Sequence, residues 1–360
     1  MSIISRYILK EYLKIFSIVL AALVLVFLSI EFFQKMRRFA ELHAEFIWIF
    51  QYFLYRLPRI IFDIVPLTIL LSTLLTLGGL SKNNEIIALK SCGVGILQLA
   101  TPLLLFGAAV SLFLYFLNGS LIPSSFKKAR NIQEVHIEKR DASDNFIQNK
   151  VWLRLDSRTL LNIELVDPDK KSMQGISLYY LGSDFSFPEE IEAEALIYEN
   201  NEWVLLKGID RKFFQDGNIQ LNPFDKKSIR LNKKPEDFLP AAADPQEMTY
   251  RKLESYIAQL SADGFNTTRY RVDLRGKQAF PFVNFMMVLL GIPFALKDNR
   301  SAGIARGVLI SLSIALLYYL VFSMTISLGR VMLFPPWLAA WSANILLMIV
   351  GVYLFLNIRQ

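Results

Sequence analysis

Residues 15–33 read I-F-S-I-V-L-A-A-L-V-L-V-F-L-S-I-E-F-F, with Arg6, Lys10 and Lys14 just before them. Glu31 is the one charge in the run. About 20 predominantly apolar residues cross the ~30 Å of bilayer hydrocarbon as a helix. The basic flank resembles that of a signal peptide. The run exceeds the ~7–15 residues of a signal h-region, however, and has no A-x-A-like end. It reads as an uncleaved span. Five more runs follow: Ile60–Leu80, broken only by Asp63 and Pro66, then Ile96–Leu117, Ala279–Leu296, Ile304–Leu328 and Trp337–Leu356. Backbone polar groups in lipid must be satisfied within their own segment, so each run is predicted to be a helix.

The composition agrees. Of 360 residues, 53% are hydrophobic and 20% charged. Such a chain has too much apolar surface to remain disordered, and its blocked pattern argues against one soluble globule. One Cys excludes an internal disulfide framework. With only two His besides, a conventional zinc site is not expected.

Six spans place both termini on one side. That side receives Arg6, Lys10, Lys14, Lys82, Lys90, Lys297, Arg300, Arg306 and Arg359. The other short segments carry Lys35, Arg37, Arg38, Arg56, Arg59 and Arg330. The positive-inside bias favours cytoplasmic termini. Residues 118–278 then lie outside the cytoplasm and read mainly as strand. Val151, Leu153 and Leu155 alternate with Trp152, Arg154 and Asp156, Leu161, Ile163 and Leu165 with Asn162 and Glu164, and Ile176, Leu178 and Tyr180 alternate again. Turns are expected at Asp167-Pro168-Asp169, Glu199-Asn200-Asn201 and Asp216-Gly217. Short strands at this spacing argue for a sandwich or barrel. Pro235–Pro245 reads as a linker, and Tyr250, Leu253, Ile257 and Leu260 as one helix face, stopped by Gly264. The expected organisation is therefore three spans (residues 1–117), an extracytoplasmic β domain with flanking helical segments (118–278) and three more spans (279–360).

The chain has no G-x-x-x-x-G-K-[ST], G-x-S-x-G, G-x-G-x-x-G or H-E-x-x-H. His43 and His136 fall on expected loops, where a solvated side chain is the plain reading. No cofactor and no catalytic set is expected, so the work is binding and movement. A short cytoplasmic segment between spans two and three, residues 81–95, reads S-K-N-N-E-I-I-A-L-K-S-C-G-V-G. Asn83 can cap a helix there, with Glu85 in the first turn where the dipole favours an anion. Glu85, Ala88, Leu89 and Cys92 share one helical face, and Gly93 and Gly95 end it. This is either a polar connector or a helix of about residues 83–93 that plugs into a groove on a partner. Cys92 itself reads as a small apolar residue.

This segment resembles the coupling helix of the lipopolysaccharide-export permeases, the LptF/LptG family. The likeness extends to Arg6–Lys14 before span one, to Tyr52–Pro58 and Pro66–Gly78 in span two, and to Pro281–Ala295 in span four. It continues in Leu328-Gly329, Pro335-Pro336 and Ala340–Asn344, and is weakest between about Asn131 and Leu239. Glu31–Phe39 is more similar to the LptG branch, with the LptF branch as the alternative. The resemblance implies one permease subunit of an ABC exporter in the inner membrane. It implies an LptB-type ATPase dimer, an LptF-type paralogue, the single-span protein LptC and lipopolysaccharide as partners. It also implies a β-jellyroll, ATPase coupling through Glu85, Ala88, Leu89 and Gly93, and a cavity between the first and fifth spans of the two permeases.

Lipid A carries phosphates at headgroup depth, so cations at the far rim acquire a meaning. Lys35, Arg37, Arg38, Lys127, Lys128, Arg130 and Arg330 are candidate phosphate contacts, with Arg275 and Lys277 nearby. The alternative is that they are interfacial anchors that snorkel to water. Asp63 is expected to pair with Arg59 at i,i+4 rather than to gate. Asn284 and Asn344 are expected to make interhelical hydrogen bonds. Gly303 and Gly307 permit close helix approach or ease a turn, and Pro281 and Pro293 kink span four. Two other classes stay open: a membrane enzyme acting on envelope lipids, and a scaffold independent of any ATPase.

Overall fold

The computed structural model describes residues 3–138, 151–155, 158–167, 172–182, 188–199, 202–214, 218–229, 244–262, 266–297 and 304–358. Each apolar run is helical: α1 (Ile3–Glu41), α2 (Phe46–Lys82), α4 (Ile96–Gly119), α9 (Ile304–Arg330) and α10 (Pro336–Leu356), with the short α3 (Glu85–Ser91) after α2. The fourth span is compound. α7 (Thr268–Ala279) passes through a 3-10 turn, Phe280–Phe282, into α8 (Val283–Lys297). Pro281 has no N–H to continue the α ladder, so the helix breaks there, whereas Pro293 is accommodated inside α8. Two further helices, α5 (Leu121–Asn131) and α6 (Tyr250–Ala262), flank the central insertion. In all, six helical stretches among the described residues have the length and hydropathy to cross a membrane.

Burial ranks these spans. In the most apolar window of α2, 78% of residues are buried, and 72% in the fourth span, against 6% in α1 and 17% in α9. So α2 and α8 form the centre, and α1 and α9 turn apolar faces outward. Small residues set the close approaches. A Cβ on Gly291 would lie 2.8 Å from Thr73 Cγ2, and one on Gly107 would lie 2.7 Å from Val288 Cγ2. Lipid-immersed helices associate through such contacts, since apolar burial gives them no preference over lipid. Asn344 behaves as expected, donating to Ala279 O on α7 at 2.8 Å and accepting from Tyr318 on α9. Asn284 does not. Its amide donates locally instead, to Pro281 O in the broken turn at 2.7 Å.

Helices α1, α3 and α9 end in the same way. His43, Gly93 and Met332 have φ of 50°, 81° and 65°, and the next amide reaches back five residues: Ala44 to Phe39, Val94 to Leu89, Leu333 to Leu328. These are Schellman ends. His43 is thus the residue that reverses the chain between spans one and two. His136 also departs from the loop expectation. It lies in a π-helical turn, Ile132–Ile137, stacked on Trp48 with centroids 3.7 Å apart.

The chain forms two compact units, Met1–Ile137 with Pro245–Glu254 and Thr267–Gln360, and Glu138–Asp244 with Ser255–Asn266. The second holds a six-stranded antiparallel sheet in the order β1-β2-β3-β4-β5-β6. The strands are β1 (Val151–Arg154), β2 (Thr159–Asp167), β3 (Ser172–Tyr180), β4 (Glu189–Glu199), β5 (Glu202–Phe213) and β6 (Ile219–Ile229). Glu164, Gly175, Glu194, Lys207 and Asp225 face one another across β2 to β6 without ladder pairs, while the register resumes on both sides. Gly175 and Lys207 have φ of 63° and 46°. The inward side switches parity at this row, from Met173 to Ile176 in β3 and from Leu205 to Asp210 in β5. A regular strand keeps one parity, so the row is a crease that turns both halves of the sheet toward one core around Trp203, Leu196 and Leu178. A jellyroll would add pairings between strands distant in sequence; among the described residues every pairing joins sequence neighbours. The expected turns at Pro168-Asp169, Asn200-Asn201 and Asp216-Gly217, most of the Pro235–Pro245 linker, and Gly264 lie outside the described residues.

Candidate functional site

Two groups of residues sit toward opposite ends of α2. At 1.5 Å per residue, Arg56 and Lys82 are about 39 Å apart along the helix.

At the Lys82 end, α2 continues through the segment expected to open the short helix. Asn83 closes α2, its N–H donating to Gly79 O at 3.0 Å. Asn84, with φ 61°, reverses the chain into α3. The coupling segment is therefore two turns long. Asn83 does not cap it, although its amide reaches Glu85 Oε1 at 3.4 Å. Ile86 is buried in the main core and Leu89 is partly buried against it. Ile87, Ala88, Ser91 and Cys92 are exposed, and Glu85 is half-buried. Of the four residues expected on one face, Ala88 and Cys92 thus point outward while Leu89 packs inward. Ile87 is the outward apolar residue that the spacing argument missed. Glu85 Oε2 accepts the Tyr7 hydroxyl at 2.9 Å. Beside α3, a cavity of ≈ 580 Å³ is lined by Lys90, the Gly93–Leu97 turn and the end of α10 at Phe355.

At the other end, α1, α2, α5 and the π turn converge on a core of Phe39, Ile49, Tyr52, Ala129, Ile132 and Ile137. Cations and aromatic rings interleave over it. Lys35 Nζ donates to Gln133 Oε1 at 2.7 Å and lies 4.6 Å from the Tyr52 ring centre. Lys128 sits 5.3 Å from that of Tyr55, and the Arg56 guanidinium 4.9 Å from that of Phe126. Arg56 also donates to Glu31 Oε1 at 2.8 Å, and Tyr52 donates to the same oxygen at 3.2 Å. Arg56, Tyr52 and Tyr55 are not among the candidate contacts drawn from the sequence, where Arg56 counts only toward topology and Tyr52–Pro58 only toward the family likeness. Their i, i+3, i+4 spacing was the available signal.

The sequence candidates divide. Lys35 and Lys128 belong to this face, and Lys127 is exposed next to Lys128 on α5, with no ion pair among the described residues. Arg37 is paired with Glu41 at 3.2 Å. Arg130 binds Glu134 at 2.8 Å and Glu247 at 2.9 Å. The hydrogen bond it donates to Glu134, partly opposed by burial and reinforced by Glu247, holds its guanidinium above the ordinary arginine range. Arg330 donates to Asp273 Oδ1 from Nε and Nη2 at 2.9 and 2.6 Å. Lys277 donates to the carbonyls of Pro245, Gln246 and Met248. Further along α2, Arg59 and Asp63 form the expected i,i+4 pair at 2.9 Å, and the Asp63 carbonyl accepts Tyr319 from α9 at 2.6 Å.

Comparison with known proteins shows the family. The profile of the Lipopolysaccharide export system permease LptF/LptG family matches residues 6–357. The chain is also similar to Uncharacterized protein RP871 of Rickettsia prowazekii (strain Madrid E), with 23% identity over 258 residues, 67% of each chain.

Proposed function

Because the chain belongs to the lipopolysaccharide export permease family LptF/LptG, we propose that it is the LptG-type subunit of an ABC exporter that draws lipopolysaccharide from the inner membrane toward a periplasmic bridge. The family is one of transporter permeases in the membrane. Hydrolysis of ATP belongs to a separate LptB-type dimer. An LptF-type paralogue and LptC complete the complex. Both termini and α3 face the cytoplasm, and the β unit faces the periplasm.

The observation that carries this reading is α3. It is a two-turn helix anchored by Ile86, offering Ile87, Ala88 and Cys92 outward beside Glu85, directly after the most buried span. A partner that moves α3 moves the centre of the bundle. Two features support the cargo side. The outward apolar faces of α1 and α9, the first and fifth spans, suit acyl chains or the paralogous subunit. The face of Lys35, Lys127 and Lys128 suits phosphate as point charges. The test is co-purification: the ATPase elutes with the wild-type complex and is lost with Glu85→Lys. Full retention of the ATPase by that variant contradicts the coupling assignment.

A further inference from the structure

Glu85 does not stand alone at the coupling end. Its Oε2 accepts the Tyr7 hydroxyl at 2.9 Å, across 78 residues of sequence, while Oε1 is met by Asn83. Tyr7 lies on the first turns of α1, the span with the least buried apolar window. Beyond Tyr7 the helix is gripped in two places. Near its start, Ile8 and Tyr12 are fully buried, Tyr12 donates to Ile69 O, and the Tyr12 ring packs edge-on against Phe106 at 5.2 Å. Near its end, Phe39 is buried in the other core. Between them Val19 is the one buried residue of the helix. The start of α1 is thus one fixed end, separated from the second by a sparsely buried stretch, and a carboxylate of α3 is tied to that start through one hydroxyl.

We propose that Tyr7 is a positioning residue for coupling: its hydroxyl ties Glu85 to α1, so that displacement of α3 reaches the first span directly as well as through α2. The inference rests on the coupling role given to α3 above. It adds a specific path. Main-chain continuity carries α3 motion into α2 whatever the side chains are. The tie to α1 exists only while a donor at position 7 meets an acceptor at position 85. Tyr7→Phe keeps the ring and removes the donor.

The experiment uses the complete exporter in liposomes, at matched subunit content, and reads lipopolysaccharide released per ATP hydrolysed. Tyr7→Phe lowers that ratio about three- to tenfold, the equilibrium factor of one net hydrogen bond. Glu85→Ala lowers it as well, and adding Tyr7→Phe to Glu85→Ala lowers it no further. An unchanged ratio in Tyr7→Phe overturns the tie, as does an equal further loss in the Glu85→Ala background. Should Glu85→Ala itself leave the ratio intact, the role of α3 fails, and the tie with it.

Discussion

Arg56 on α2 donates to Glu31 on α1 at 2.8 Å, with the two side chains 27% and 15% exposed. The pair sits where the apolar run of span one ends, and Tyr52 shares the acceptor oxygen. Removing one member leaves the other charge poorly solvated, which costs about 3–5 kcal/mol for a buried pair, less where water reaches it. Arg56→Ala and Glu31→Ala are each expected to lower the melting temperature of the purified complex. The double variant is expected to lose less than the sum of the singles. Additive losses would show that the pair does not couple the two helices.

The cations of the far rim have separate fates, and neutralising them separates binding from structure. Lys35 bonds the Gln133 amide oxygen and Lys128 lies over the Tyr55 ring, whereas Arg330 is held by the Asp273 carboxylate. Neutralising Lys35, Lys127 and Lys128 together is expected to reduce crosslinking of lipopolysaccharide to the complex severalfold with little change in stability. Arg330→Gln is expected to do the reverse, lowering thermal stability and leaving crosslinking near wild type. Crosslinking at full strength in the triple variant contradicts the rim assignment.

Glycines of the membrane helices differ in what surrounds them. A Cβ on Gly329 would lie 2.4 Å from that of Ala339, whereas nothing lies within 4 Å of one on Gly79. Overpacking of this kind costs about 1–3 kcal/mol, while Gly to Ala in an open helix gains up to about 1 kcal/mol. Gly329→Ala should therefore unfold at lower temperature than wild type, and Gly79→Ala at the same temperature or higher. The opposite ranking would mean that α9 and α10 do not approach as described.

Tyr250 gives a pH dependence. Its hydroxyl donates to the carbonyls of Tyr115 and Lys277, both at 3.2 Å. Burial, then the neighbouring Tyr115, pushes the phenol above its ordinary value. A raised value means that the folded state keeps a proton which the unfolded state has lost. The stabilisation is thus complete below about pH 10 and falls as the pH rises above it. Tyr250→Phe is expected to be less stable at neutral pH by about 1–2 kcal/mol. It is also expected to have a shallower alkaline decline, measured as melting temperature against pH.

The spans were legible because lipid leaves a 20-residue apolar run one solution, and the strands because Ile176 and Leu178 alternate against one core. What stayed hidden was relational. The crease depends on Gly175 and Lys207 taking left-handed φ in register, and a lysine gives no local sign of that. Arg330, Arg130 and Lys277 look like rim cations in sequence. Their partners Asp273, Glu247 and the 245–248 carbonyls are fixed only when α5, α7 and α9 pack. Leu89 shares helical spacing with Ala88, but which of them faces the bundle is settled by Ile86 docking in the core. The Asn84 reversal, which shortens α3, was masked because Asn83 is an equally good cap.

In the proposed exporter, nucleotide energy arrives on one side of the membrane and cargo leaves on the other. Labelling with a membrane-impermeant thiol reagent tests it most directly. The native Cys92 is free and exposed beside α3, and Ser172 opens β3. In cells with a permeabilised outer membrane, Cys92 is predicted to stay unlabelled and Ser172→Cys, in a Cys92→Ser background, to react; in inverted inner-membrane vesicles the two exchange behaviour. Labelling of Ser172→Cys only in the inverted vesicles would place the sheet on the ATPase side and contradict the account.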